Sequence, residues 1–195
     1  MKRFTVYTIG HSSHSLVKFF ELLKRHEITV VADVRSTPYS KHYPHFSEKA
    51  LKTALKKWGI KYVFLGYELG GRGQNASEYV SGRVSYARLA QNSRFQQGLK
   101  RVIRGAQSHK IALMCAERDP ITCHRGILIA PALQRLGVVV HHIHADGELE
   151  THEQLEDRLR RIHRLPPAGG LFAEDEALAL AYRKQEKRIA YKGPS

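Results

Sequence analysis

Both cysteines of this 195-residue chain stand in one stretch, LMCAERDPITCHRG (113–126), beside a histidine, two arginines and two acids. Cys123 precedes His124 and Arg125, and the residues after it read as the start of a helix. A thiol at a helix N-terminus meets free N–H groups and the positive end of the dipole, so its thiolate is favoured and becomes a competent nucleophile. The same amides, with Arg125, would also seat a phosphate or carboxylate. Cys115 instead ends an apolar run, where cysteine serves as a small buried filler. A metal reading would recruit Cys115, Cys123 and His124, joined by Glu117 or His11. The Cys-x7-Cys-His spacing is not the short paired spacing of structural zinc motifs, so a reactive thiol or anion site is preferred over metal and over plain packing.

Other residues of chemical interest share one kind of position. GHSSH (10–14), DVRSTP (33–38), GYELGGR (66–72), CAERDPITCHR (115–125) and HADGE (144–148) each follow a run that reads as a strand. In an open parallel sheet the ligand site lies outside the carboxyl ends of the strands, so these loops would meet there. His11, His124, Glu117 and Asp33 are therefore candidates for acid–base or orienting roles beside Cys123. Ser12, Arg35, Glu68, Gly70, Gly71, Arg72 and Arg125 are candidates to hold substrate, the arginines as anion clamps and the glycines as backbone that a ligand can approach closely. The glycine pair fits neither phosphate-binding glycine fingerprint, so no nucleotide cofactor is named by motif, and the cofactor is unknown. His141, His142 and His144 lie on an apolar strand, with only His144 near the ligand end.

The elements that would position these residues follow from hydrophobic period. Strands are expected at 3–9, 28–34, 60–65, 110–115 and 138–145, all β-branched or nearly continuously apolar. Leu16, Phe19, Phe20 and Leu23 recur at helical spacing over 15–26, and Ser47 should cap a helix that buries Leu51, Leu55 and Trp58. Residues 35–46, with two prolines and no period, form a long loop of the functional kind. Helical segments are expected around 83–107, and 123–136 should be one helix made irregular by Pro131. Thr151 and Gln154 stand in capping-box spacing before Leu155, Leu159 and Ile162. Five strands alternating with helices argue for a three-layer, doubly wound α/β fold, Rossmann-like, with a mostly parallel five-stranded sheet. Residues 1–164 form a single domain in this reading. LPPAGG (165–170) acts as a hinge to an appended basic C-terminal helix over 171–190.

Composition sets the class of partner. The 42% hydrophobic content suits one core, and two cysteines exclude a disulfide scaffold. Nothing approaches the length of apolar chain a membrane helix needs, and the start lacks a secretory h-region, so a cytoplasmic protein without a membrane partner is expected. The formal net charge of +14 favours a polyanionic partner, a nucleic acid or nucleotide. Lys49, Lys52 and Lys56 line one face of their helix and would supply phosphate contacts in a binding role.

The blocks YTIGHSSHSLVKFFELLKRHEITVVADVRSTPYSKHYPHFS, YELGGR and LMCAERDPITCHR resemble, in order and spacing, the signature of the domain-of-unknown-function family numbered 488 (DUF488). The resemblance spans about residues 4–145. It implies an α/β three-layer fold and marks Gly10, His11, Ser12, Asp33, Arg35, Pro38, Glu68, Leu69, Gly70, Gly71, Cys115, Glu117, Cys123, His124 and Arg125 as the family's blocks in this chain, without implying a reaction. The combined expectation is an enzyme acting on a phosphate-bearing substrate through Cys123. A non-catalytic nucleic-acid-binding protein or a metal-binding sensor is the alternative.

Overall fold

A computed structural model of the chain describes residues 4–166 and 174–193, the side chains of Glu174 and Asp175 excepted. The central sheet contains β1 (Thr5–Gly10), β2 (Val30–Asp33), β3 (Lys61–Phe64), β6 (Ile111–Cys115), β7 (Val139–Ile143) and β8 (Leu149–Thr151). Their order across the sheet is β3-β2-β6-β1-β7-β8. The first five are parallel, and β8 runs antiparallel to β7 at one edge. The sheet thus has six strands where five were expected: the turn at Asp146-Gly147 continues into a short return strand before the Thr151 capping box opens α7 (His152–Ile162). A two-stranded hairpin of β4 (Tyr79–Val80) and β5 (Arg83–Val84) lies within the polar stretch expected to be helical from residue 83.

Strand order decides which loops meet. From β1 to β2 to β3 the chain moves toward one edge, and from β3 through β6 to β7 it moves back. Right-handed crossovers then force the connecting helices onto opposite faces. α1 (Leu16–Arg25) and α2 (Glu48–Lys57) cover one face, packing Phe19, Leu23, Leu51 and Leu55 on Ile9, Val31 and Met114. After the short α3 (Gly66–Leu69) and α4 (Tyr86–Gln91), α5 (Ser93–Ala106), α6 (Ala130–Arg135) and α7 cover the other, packing Leu99, Leu133, Leu155 and Leu159 with Val6, Ala32 and Leu113. Outgoing loops part at the carboxyl ends of β2, β6 and β1, which are neighbours, and a crevice opens there. The loop after β7 lies to the side, where His144 engages Glu150 Oε2 at 3.0 Å.

Several local expectations need correction. Trp58 does not join the buried stripe of α2; it is 50% exposed and stacks on Phe20 with ring centroids 4.5 Å apart. Ser47 occupies the N-cap of α2, yet its hydroxyl accepts from Ser40 N at 3.2 Å and so pins the long loop. Residues 123–136 are not one helix. A 3-10 turn (120–122) leads to an extended Cys123, then to a π-helical turn (125–129) and to α6, with Pro131 in its first turn. Proline has no N–H to donate to the preceding turn, and the change of helical register falls just before it.

α8 (Glu174–Ile189) packs on the body across α7 and the 120–129 segment. Gln185 Nε2 donates to Ile121 O at 2.7 Å, and Glu186 accepts from Tyr86 N at 2.7 Å. Residues 167–170 of the expected hinge and 171–173 of the expected helix lie outside the described residues. Among the described residues no helix is long and apolar enough to cross a membrane.

Candidate functional site

A cleft of about 490 Å³ opens at the carboxyl ends of the central strands. Its walls come from the loops after β1, β2 and β6, together with Gly71 and Arg72, Tyr86, and the C-terminal Ile189 and Tyr191. His11, Arg35, Cys115, Glu117, Cys123 and His124 all line it. The chain crossing that allows this depends on Gly10, where a Cβ would stand 1.9 Å from Glu117 O.

The sulfur cluster is the floor. Cys115 and Cys123 are buried and unbridged, and each Sγ lies 3.7 Å from His124 Nδ1. His124 Nε2 donates to Val34 O at 3.0 Å, because a carbonyl can only accept. That contact fixes the tautomer and leaves Nδ1 facing the sulfurs. Gly71 lies against the same imidazole, and a Cβ there would fall 2.8 Å from His124 Cγ. Arg125 is fully buried, its Nη1 donating to Glu117 O at 2.7 Å and its Nη2 to Arg118 O at 3.0 Å. No carboxylate pairs with it among the described residues, and its Nε has no hydrogen-bond partner. Its backbone N–H points at Cys123 Sγ, 3.5 Å away.

The two thiols are therefore unequal. Burial opposes charge on Cys123, but the hydrogen bond from Cys115, the Arg125 guanidinium and His124 together hold its thiol well below the ordinary range. Donation to Cys123 and burial push the Cys115 thiol up. For His124, burial opposes protonation, and the Cys123 charge outweighs it and raises the pKa. The Glu117 carboxyl is also raised, by the cleft walls around it and then by the Cys123 charge, although the residue as a whole is exposed.

Beside the sulfurs stands a locked ion pair. Arg35 Nε and Nη2 fork onto Asp33 at 2.9 and 2.6 Å, and Nη2 also donates to Phe46 O at 2.8 Å. Tyr62 Oη donates to the same carboxylate at 2.8 Å. Arg35 Nη1 donates to His11 Nε2 at 3.2 Å, and His11 Nδ1 donates to Ser12 O at 3.0 Å. Both His11 nitrogens are thus occupied, the ring stacks on Phe46, and burial followed by the Arg35 charge lowers its pKa to about 4. Counting donors, one Nη1 N–H of Arg35 remains for a ligand.

The cluster does not absorb every candidate residue. Glu68 turns to Arg101 on α5, away from the cleft. Gly70 lies against Ser36 and Gly66. Asp33 is fully buried behind Arg35 and orients it, while Ser12 contributes its carbonyl to His11. Lys49, Lys52 and Lys56 are exposed on α2; Lys49 lines a separate groove with Phe20 and Trp58, and none of the three lines the cleft. Arg72 is exposed at the mouth, its N–H bonded to Ser36 Oγ at 3.0 Å and its guanidinium 4.6 Å from the centre of the Tyr191 ring.

Residue-by-residue reading missed Tyr39, Lys41, Tyr86 and Tyr191. The unusual length of the 35–46 loop signalled the first two. Tyr86 sits in a polar stretch with weak pattern, and Tyr191 lies beyond the expected hinge, where nothing in the sequence ties it to the sheet. No curated protein and no solved structure matches the chain. The family match is narrower than the resemblance over about residues 4–145, leaving Gly10, His11, Ser12 and the whole C-terminal wall outside it: over residues 15–131 the chain belongs to the family described as domain of unknown function DUF488.

Proposed function

We propose that the protein is an enzyme that binds a phosphate-bearing substrate, a nucleotide or nucleic acid, in this cleft and attacks it through the Cys123 thiolate. The observation that carries the reading is convergence: a thiolate supported by Cys115, His124 and Arg125, a carboxyl whose pKa is raised, and arginine side chains all line one cavity or its floor. Arg72 at the mouth and the remaining Arg35 N–H hold the phosphate oxygens. Cys123 Sγ attacks phosphorus, the bond to the leaving oxygen breaks, and protonated Glu117 gives that oxygen its proton. Water then cleaves the S–P bond with Glu117 carboxylate taking its proton, which restores the thiolate.

Within this scheme His124 positions and supports the thiolate, and His11 with Asp33 holds Arg35. Arg125 acts as the buried countercharge to Cys123 and not as a substrate clamp, since its Nη donors already serve two carbonyls. The +14 net charge supports an anionic substrate by steering. The test is turnover of phosphomonoesters, nucleotides and short oligonucleotides by wild type, Cys123→Ser and Glu117→Gln. Loss of turnover in Cys123→Ser with an intact fold is expected. Undiminished turnover in that variant removes the assignment.

A further inference from the structure

We infer that Cys115, Cys123 and His124 form a binding site for one zinc-type cation, and that loading it silences the thiolate. The silencing rests on the function proposed above; the metal site itself rests on geometry alone. The two sulfurs and Nδ1 all lie within 4.8 Å of one another. Both sulfur-to-nitrogen separations are 3.7 Å. An ion held tetrahedrally at ordinary zinc–sulfur and zinc–nitrogen lengths requires about 3.6 Å between those atoms. The chain therefore presents these two edges of the tetrahedron at nearly the required length.

The surroundings agree independently. A metal-binding histidine needs its second nitrogen tied to an acceptor, so that the ligating nitrogen keeps its lone pair and its direction. The bond from His124 Nε2 to Val34 O does this, and the backbone of Gly71 against the ring removes rotational freedom. The Arg125 N–H toward Cys123 Sγ is a bond that a metal-bound thiolate can also accept. Two soft sulfurs with one imidazole select zinc-type ions over magnesium or calcium. Cys115, Cys123 and His124 also line the cleft, so three protein ligands leave the fourth position open to it.

Binding balances simply. The cation takes the Cys123 thiolate, the His124 lone pair and the Cys115 sulfur, and the Cys115 S–H proton is released to solvent. Two thiolate charges then cancel the divalent charge beside Arg125. The Cys123 lone pair that would attack phosphorus is committed to the metal, so free zinc sets the fraction of competent enzyme.

The experiment uses the full chain, reduced and stripped with chelator, titrated with Zn2+ against a chromophoric competitor and with Co2+ followed by absorbance. One equivalent should bind, with a thiolate-to-cobalt charge-transfer band and protection of both cysteines from alkylation. Cys115→Ser should weaken zinc by about 100-fold or more, and Gly71→Ala by about 10–100-fold through His124. Failure of folded, metal-free wild type to bind a stoichiometric ion overturns the inference, as does unchanged affinity in Cys115→Ser. If the variants unfold, the wild-type alkylation and cobalt measurements still decide. The two proposals also separate in the stripped protein: absence of a metal site leaves a low-pKa Cys123 detectable, whereas a metal site beside a Cys123 of ordinary pKa sinks the thiolate reading alone.

Discussion

Cys115 and Cys123 stand at the same 3.7 Å from His124 Nδ1, one at the end of a buried strand and the other on an extended residue between two helical turns. Neither a regular helix nor a continued strand brings both sulfurs to one imidazole. The irregular 120–129 segment does, and the chemistry assigned to the cleft follows from it.

Gly71→Ala tests how tightly that imidazole is held. The added methyl would meet His124 Cγ at 2.8 Å, too close for either group to stay in place. Overpacking of this kind costs about 1–3 kcal/mol, and the variant should lose turnover while still unfolding cooperatively in denaturant. Wild-type turnover in Gly71→Ala would show that the His124 position is not critical.

Asp33→Asn tests the locked pair. The Arg35–Asp33 fork is buried, with side chains 6% and 0% exposed, and removing one charge strands the other. A loss of about 3–5 kcal/mol is expected in urea unfolding. A loss under about 1 kcal/mol would mean that Phe46 O and His11 suffice for Arg35.

Arg72→Ala and Tyr191→Phe separate binding from chemistry at the mouth. Arg72 is predicted to act on substrate phosphate, so its loss should raise KM several-fold with little change in kcat. Tyr191→Phe keeps the ring under the guanidinium and should be nearly silent, while Tyr191→Ala removes a contact worth about 0.5–1 kcal/mol. An equal fall in kcat for Arg72→Ala would show that Arg72 stabilises the transition state and does not merely hold the bound phosphate.

Acid should unfold the protein through buried histidines. Thr8, His142, His152, Tyr182 and Glu156 form one hydrogen-bonded chain through the core, linking β1, β7, α7 and α8. Burial lowers His152 to about 4 and His142 well below its usual value, and His11 is likewise near 4. These pKa values are depressed on folding, so the unfolded chain binds more protons. Their contribution is whole above the unfolded value of about 6.5 and is lost as pH falls toward 4. Thermal melts from pH 7.5 to 4 should show a continuous drop, and a flat profile over that window would contradict the neutral assignment.

What the sequence revealed, and what it hid, divides along physical lines. The parallel strands were legible because each is a short apolar run ended by polar residues, and strand direction alone then gathers His11, Arg35 and the 115–125 loop. The β8 return strand was not legible, because a three-residue edge strand without a buried residue has too little pattern to distinguish it from a turn. Glu68 and the α2 lysines looked functional by residue type, but their positions depend on side-chain direction: Glu68 meets Arg101, and the lysines lie away from the cleft. The Cys-x7-Cys spacing argued against a metal because it is not local; tertiary packing supplies the approach that short spacing would otherwise provide. Tyr191 reaches the cleft only through the docking of α8, a long-range fact without local signature.

The most direct measurement is the pH dependence of alkylation at each cysteine in reduced, metal-stripped protein, read residue by residue by mass spectrometry. Cys123 should react with a midpoint well below the roughly 8.5 of an ordinary thiol, and Cys115 only well above it. Two cysteines titrating together near the ordinary value, or Cys115 reacting first, would contradict a thiolate at Cys123.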